Sequence, residues 1–469
     1  MTRSRLTHSP LALLTAGLVC GLLSSCQPGG KPDPHTRVNI PNAWKTSLQG
    51  SSGKISSGWL RDFNDPRLTR LVKEAQANNP NLLATAERLK AARASVVRSR
   101  SSRIPSASLS AGGSRTHNGS SAGSSRYSGG KNLGVSASWE LDLWGRLKHL
   151  HSASSFDYQA TAADFRSTRL SLAANTASLW YNLISSENQV KLATETLSSY
   201  RKVEKIIERN YKAGTARALE LQLSRNNVFS AERILQARKR NRDDARRNLE
   251  VLLGRYPSAA LTAPTSLPSI RKDVPTGLPA DLIARRPDLV QARLRLLSSF
   301  HRAHASQKNL LPTLRLTGNS GASSSTFSNL LNPSYLSSSI SASLGQSLFE
   351  AGAKREDARA AVARNRAAVH DYSNIALRAF REVESALASE QSLKKQEHFL
   401  RKELQQAALA EKQAERDYAE GVDGVDILDL LESQRRASNA RSSLIDLQNQ
   451  RIQNRINLHL ALGGDFSTQ

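Results

Sequence analysis

Residues 146–213 read RLKHLHSASSFDYQATAADFRSTRLSLAANTASLWYNLISSENQVKLATETLSSYRKVEKIIERNYKA, and residues 353–420 read AKREDARAAVARNRAAVHDYSNIALRAFREVESALASEQSLKKQEHFLRKELQQAALAEKQAERDYAE. Neither stretch holds a glycine or a proline. Both are rich in Ala, Leu, Arg, Glu and Gln, which lose little on entering a helix. Gly145 and Gly214 frame the first, Gly352 and Gly421 the second, and glycine is separated from glycine by 69 residues in both. An unbroken helix of that size is about 100 Å long, well beyond a globular helix. Such a rod suits a coiled coil, a spacer or the wall of a long tube.

The equal frames belong to a duplication. Ile104-Pro105 returns as Leu311-Pro312, Gly145 as Gly352, and Tyr211-x-x-Gly214 as Tyr418-x-x-Gly421, each 207 residues later. A period this long is a repeated half rather than a short solenoid unit. Ahead of each rod the spacing predicts a shorter helix. The first starts at Asp65-Pro66 and ends before Pro105, with an apolar stripe of Leu68, Leu71, Val72, Ala75, Leu82 and Leu83; the second covers 280–309. After each Tyr-x-x-Gly turn comes another helix, over 219–253 and 426–462.

Between the short helix and the rod the period changes to two. Ala107, Leu109 and Ala111 alternate with Ser106, Ser108 and Ser110. Leu133, Val135, Ala137, Trp139 and Leu141 alternate with Gly134, Ser136, Ser138, Glu140 and Asp142. The second half repeats this with Leu314 and Leu316, then Ile340, Ala342, Leu344 and Leu348, set against Thr, Arg and Ser. The pattern predicts four strands in two hairpins, each near the ~10 residues that cross a bilayer as a tilted strand. A half-buried soluble sheet would alternate in the same way. If the strands do span, four cannot close a barrel, and lipid tolerates no open edge. The chain must then oligomerise.

The N-terminus reads as an export signal. Arg3 and Arg5 precede the short apolar run Leu11–Leu23, which is too short to span. It ends in Leu23-Ser24-Ser25-Cys26, similar to a bacterial lipobox, so Cys26 is the expected lipidated N-terminus. Cys20, preceded by Leu18 and Val19, would leave with the signal. One cysteine would then remain, too few for an internal disulfide or a cysteine metal cage. The formal charge is +26, from 66 Lys and Arg against 40 Asp and Glu. These charges are scattered along the helices rather than gathered in one basic block, which reads as solvated helix faces and not a nucleic-acid surface.

No chemistry is legible. Gly53-Lys54 is followed by Ile55 where a phosphate loop needs Ser or Thr. His149 and His151, two apart on a helix, point to different faces; His301 and His304 could share one, but nothing completes a metal site. No nucleophile–base set appears, so no enzyme, catalytic residue, metal or cofactor is expected beyond the covalent lipid on Cys26.

Several runs are specific: Trp59-x3-Phe63-x-Asp65-Pro66, residues 139–145 (WELDLWG), Arg285-Arg286-Pro287-Asp288, residues 431–436 (LESQRR), and residues 458–464 (LHLALGG). In these the chain resembles the TolC/OprM-type outer-membrane efflux channels, in their lipoprotein branch. Two departures stand out: His304–Leu311 lacks the usual small-residue pattern, and the turn Gly421–Val425 is about two residues longer than typical for the branch. The resemblance implies a mainly α protein with a small membrane β part. It would be a long α-helical coiled-coil barrel, plus four strands per chain contributing to a trimeric twelve-stranded β-barrel. It implies a passive export duct for drugs, toxic compounds or metal ions, partnered by a periplasmic adaptor and an inner-membrane RND-type pump. The division is a signal (1–25), a lipidated tether (26–58), a first repeat (59–257), a linker (258–279), a second repeat (280–464) and a tail (465–469). The competing reading is a periplasmic coiled-coil scaffold lipoprotein without channel activity, which leaves the strands idle. The gate and partner surface are expected at the glycine turns, with Gly214, Gly421, Asp423, Asp426 and Asp429. The three Asp residues, three apart, fall roughly on one helical face and would repeat as rings in a trimer; the competing role is capping of the last helix.

Overall fold

The computed structural model describes residues 41–46, 58–119, 126–268, 274, 279–420, 422 and 426–464. The first half supplies α1 (Pro66–Asn78), α2 (Pro80–Ser101), β1 (Ser106–Asn118), β2 (Arg126–Leu141), α3 (Arg146–Lys212) and α4 (Ala218–Leu252). The second supplies α5 (Pro279–Arg285), α6 (Pro287–Lys308), β3 (Thr313–Ser324), β4 (Leu336–Gly345), α7 (Ala353–Glu420) and α8 (Ile427–Ala461). Both rods are single helices, of 67 and 68 residues. The chain divides into two compact units, one centred on 89–162 and 291–374, the other on 38–88, 163–290 and 375–469.

The first unit holds one antiparallel sheet in the order β1-β2-β3-β4. The hairpins β1-β2 and β3-β4 come from different halves, and β2-β3 pairing joins them. Directly opposed residues share a face, so the register sorts the side chains of all four strands. Leu109 opposes Val135 and Ala107 opposes Ala137; Gly318 opposes Ile340 and Leu314 opposes Leu344. These gather on one apolar face. Ser108, Ser136, Asn319 and Ser339 line up on the other. Within the single chain the apolar face is open: Leu109 is 72% exposed and Ile340 92%. The hydroxyls of Ser320 and Ser338, on that same apolar face, satisfy each other at 2.9 Å. The expected fourth strand is shorter than its pattern. It stops at Gly345, so Leu348 lies outside it, because Gly345 already opposes Thr313, the first residue of β3, and Pro312 before it has no N–H to donate.

In the second unit α3 lies between α4 and α8, and α8 in turn packs on α7. α3 and α8 meet along an antiparallel seam of small polar side chains: Asn182 with Asn449 (2.7 Å), Gln189 with Asp446 (2.9 Å), Thr196 with Ser438 (3.1 Å) and Ser199 with Gln434 (3.2 Å). Val190, Ala193 and Leu197 of α3 pack on Val228, Ala231 and Leu235 of α4. Between α7 and α8, the buried carboxylates of Glu390 and Glu397 meet Arg451, and Asn454 donates to the Ala386 carbonyl at 3.0 Å. The largest core gathers Trp59, Phe63, Leu68 and Val72 against Trp180, Tyr181, Ile184, Leu249 and Ile456. Trp44 is buried with Phe380 and Val383, and the Glu384 carboxylate accepts from the backbone N–H groups of Lys45 and Thr46. Residues 41–46 of the expected tether are therefore docked.

Both helices expected as continuous before the strands are broken, at Pro80 and at Pro287, again 207 residues apart. Proline lacks the N–H that the helix needs and pushes the preceding residue to extended backbone. Asn79 adopts φ −67°, ψ 119°. Its side chain caps α2 by accepting from the N–H groups of Asn81 and Leu82, and donates to the Leu252 carbonyl at 2.9 Å. Arg286 holds the equivalent place and donates to the Ala461 carbonyl at 3.1 Å. Beside each break sits a left-handed glycine, Gly254 (φ 76°) or Gly463 (φ 66°). A Cβ on Gly254 would stand 2.7 Å from the Asn78 carbonyl oxygen, closer than any side chain tolerates.

The two sheet faces give a direct expectation. Val135→Arg places a charge on the apolar face and costs ~2–4 kcal/mol if that face meets lipid near the bilayer midplane, whereas Ser136→Arg is tolerated. Folding yield in detergent and in vesicles reads the difference; equal tolerance at both positions would contradict a lipid-facing sheet.

Candidate functional site

The glycine turns are built from the ends of the rods. α3 ends where Gly214 takes φ 78°, a left-handed conformation that glycine adopts freely. The Gly214 N–H donates to the Tyr211 carbonyl and the Thr215 N–H to the Asn210 carbonyl, at 3.0 and 2.9 Å, closing the helix end. Arg217 follows and pairs with Glu220 at 2.7 Å. Ile207, Leu221, Ile427 and Leu430 form a buried cluster with Tyr418 packed against it, so the turn after α3 and the start of α8 are neighbours.

Asp426 is the N-cap of α8. Its carboxylate accepts from the N–H groups of Leu428 (2.8 Å) and Asp429 (3.1 Å), and the Asp429 carboxylate accepts from the Asp426 N–H at 3.2 Å. This reciprocal box satisfies donors that a helix start leaves free. It also corrects the sequence reading of one helical face: Asp426 is extended (φ −101°, ψ 175°) and stands outside the helix that carries Asp429. Gly421, Asp423 and Cys26 lie outside the described residues.

The run 431–436 has a clear geometry. Glu432 takes Arg435 at 2.8 Å and Arg436 at 2.7 Å, and these two guanidinium groups hold its carboxyl down to about 2. Gln434 is buried and donates to Ser199 and Glu415. The other family-like runs are equally structural. Asp65 caps α1 and accepts from the Trp180 indole at 2.7 Å. Asp142 accepts from the N–H groups of Leu147 and Lys148 at the start of α3. Arg286, buried, pairs with Asp288 and Glu382, each at 2.7 Å. Trp139 and Trp144 donate to the carbonyls of Arg103 and Pro312, so each indole is anchored at the rim of the sheet.

Three histidines converge where sequence spacing offered only two. His301 and His304, three apart on α6, are joined by His149 of α3, 152 residues away in the chain. Nδ1 of His149 lies 2.9 Å from Nδ1 of His301, and its ring stacks on His304 with centroids 5.0 Å apart. Burial and the neighbouring Lys308 hold His149 down to about 4, so it is neutral at pH 7. Among the described residues no group of three or more His, Cys, Asp or Glu side chains has the geometry to hold a metal ion. Also among them, no helix is long and apolar enough to cross a membrane.

Comparison with known proteins places this architecture. The family model described as "Outer membrane efflux protein" matches residues 71–255 and 278–464, one match for each half. The chain is 29% identical over 432 residues to the "Cation efflux system protein CusC" of Escherichia coli strain K12, covering 91% of this chain and 93% of that one. It is 28% identical over 479 residues to the "Probable efflux pump outer membrane protein TtgC" of Pseudomonas putida, covering all of this chain and 97% of the relative. The solved open state of the MtrE outer membrane channel of Neisseria gonorrhoeae superposes with a TM-score of 0.81 at 25% identity, over 95% of this chain and 100% of that one.

The cap at Asp426 has a measurable signature. Asp426→Ala loses ~1 kcal/mol of helix-start stability, while Asp426→Asn retains it, since Asn caps as well as Asp. Amide exchange at Leu428 and Asp429 should quicken several-fold in the Ala variant alone; identical protection in both variants would contradict the cap.

Proposed function

The chain belongs to the outer membrane efflux protein family, and from that premise we propose that three copies form the exit duct of a tripartite pump. It is an outer-membrane channel component of an efflux system. The carrying observation is the sheet: four strands with one apolar exposed face, one serine-rich face, and β1 and β4 each paired on one side only among the described residues. Three copies give twelve strands, enough for a barrel with a water-filled lumen lined by Ser108, Ser136, Asn319 and Ser339. The helices support the same closure. α4 and α7 lie at the two margins of the helical layer and expose large apolar side chains, Phe229 and Ile234 on one, Leu377, Phe399 and Leu409 on the other. Neighbouring copies would cover them. The scaffold alternative gives the sheet no role.

The duct performs no chemistry. Within the strands the serine-rich face carries one carboxylate, Glu140, which is paired with Arg146, so this stretch of wall lets solutes of varied charge pass and selection belongs to the partners. These are a periplasmic adaptor at the glycine turns and an inner-membrane RND-type pump behind it. The cargo is small molecules or metal ions; CusC by its name exports cations, and this chain's cargo follows from the pump it serves. Cys26 carries the lipid that anchors the N-terminus in the outer membrane. Three acyl chains hold firmly where one is marginal. At the turns, Asp423, Asp426 and Asp429, repeated three times, would form a ring of carboxylates that attracts cations and narrows the closed tip, with Gly214 and Gly421 shaping the turns around it. Asp426 and Asp429 can serve both roles, since a carboxylate that caps a helix keeps its charge.

Two measurements test this reading. The purified protein in a planar bilayer should show discrete conductance steps. Asp426→Asn with Asp429→Asn, which removes charge while sparing the cap, should raise conductance or weaken block by divalent cations. A folded protein without conductance would overturn the duct, and unchanged conductance in the double variant would leave the two Asp residues with capping alone. Separately, Cys26→Ala should abolish labelling by a fatty-acid probe; persistent labelling would exclude Cys26 as the lipid site.

A further inference from the structure

Residues 106–139 and 313–349, which contain all four strands and both hairpin loops apart from the last two residues of β2, hold no Asp or Glu. Their cations are few and placed. In the register Arg115 opposes Gly129 and Lys131 opposes Gly113, on the face that carries Leu109, Leu133 and Val135. The two cations are diagonal neighbours across β1 and β2, a separation of ~7–8 Å in an antiparallel pair. Across the β1–β2 ladder each is opposed by a glycine, and on its other side Lys131 opposes Ser324 of β3. A Cβ built at Gly113 would touch Cγ of Lys131 at 4.0 Å, so the Lys131 stem lies over this glycine.

Aromatic rings hold both cations at the surface. The Arg115 guanidinium lies over the Tyr127 ring, 4.8 Å from its centroid, and Lys131 Nζ lies 5.9 Å from the Phe327 centroid. His117 packs against Tyr127 with centroids 4.5 Å apart. Tyr127 and Phe327 are 61% and 69% exposed. A guanidinium stacked on a ring face still presents its N–H edge, which matches two oxygens of a phosphate. Aromatic side chains at the end of a membrane strand mark the interface with headgroups. Two cations in a stretch whose sequence holds no carboxylate add an anion preference to that interface.

We propose that Arg115 and Lys131 bind the phosphate of an outer-leaflet lipid, whose acyl chains run down the same sheet face over Leu109, Leu133 and Val135. The outer leaflet of an outer membrane is built from a phosphorylated glycolipid, and that is the occupant this surface fits. The apolar strip directly below the cations decides between a lipid and a free phosphate: only an amphiphile uses both. This inference rests on the outer-membrane barrel reading.

The test uses the full-length, detergent-purified oligomer and native mass spectrometry with bisphosphorylated lipid A. The wild type should retain lipid A. Arg115→Gln with Lys131→Gln should weaken retention at least ~10-fold, because both charge-assisted contacts are lost. Arg315→Gln, on the opposite sheet face, should leave it unchanged. Inorganic phosphate at the same concentration should not displace the lipid, and fully dephosphorylated lipid A should bind as weakly to the wild type as lipid A does to the double variant. Retention that survives the double substitution or dephosphorylation overturns the proposal, and full displacement by inorganic phosphate makes the site one for free phosphate. Conductance of the same samples separates the two levels: a conducting oligomer that ignores lipid phosphate refutes only this site, while an oligomer without conductance fails the duct itself.

Discussion

The open edges of a four-stranded sheet set the terms for the rest of this molecule. Every backbone N–H and C=O in hydrocarbon must be paired, so only a closed barrel can cross as strands. β1 and β4 cannot pair with each other within one chain of four strands, and the apolar face they border is exposed. Oligomerisation is therefore built into the strand count. The duplication follows the same logic. Each half contributes one hairpin and one rod, and the β2–β3 ladder fuses the two hairpins into one sector of wall.

The helical layer meets a different demand. The walls of a water-filled tube cannot be hydrophobic on both sides, so the contacts between neighbouring rods must be narrow and specific. The α3–α8 seam uses amides, hydroxyls and the Asp446 carboxylate in a shared hydrogen-bond network, which fixes the register of two long antiparallel helices. The α7–α8 contact uses Glu390 and Glu397 with Arg451. Burial alone would raise the Glu397 carboxyl, but Arg451 and Arg401 keep it below the usual carboxylate range. Removing either partner would leave a charge buried without its counterion, so the contact holds only when both helices bring their residues together.

Much of this was legible in the residues. The rods were readable because no glycine or proline interrupts them, and the faces of the strands because serine alternates with leucine and valine. The breaks at Pro80 and Pro287 escaped because the apolar stripe of Leu68, Val72, Ala75 and Leu82 runs across the first without a pause; the prolines themselves were the signal. Trp44 lies in a stretch rich in Pro, Gly and Ser that carries no periodic signal, and only tertiary contact with Phe380 docks it. The meeting of His149 with His301 and His304 depends on packing between helices distant in sequence, which no local spacing encodes. At the turn, the Asp triplet invited a helical-face reading, but a helix start places its N-cap outside the helix, and Asp426 followed that rule.

The central claim is that the sheet edges are closed by further copies of the same chain, and the mass of the folded protein tests it most directly. Full-length protein extracted in mild detergent should weigh three chains by native mass spectrometry. Unheated in SDS it should migrate as a resistant species that boiling converts to the single chain, and the edge amides of β1 and β4 should be protected from exchange. A folded single chain, with those edge amides exchanging freely, would contradict the account.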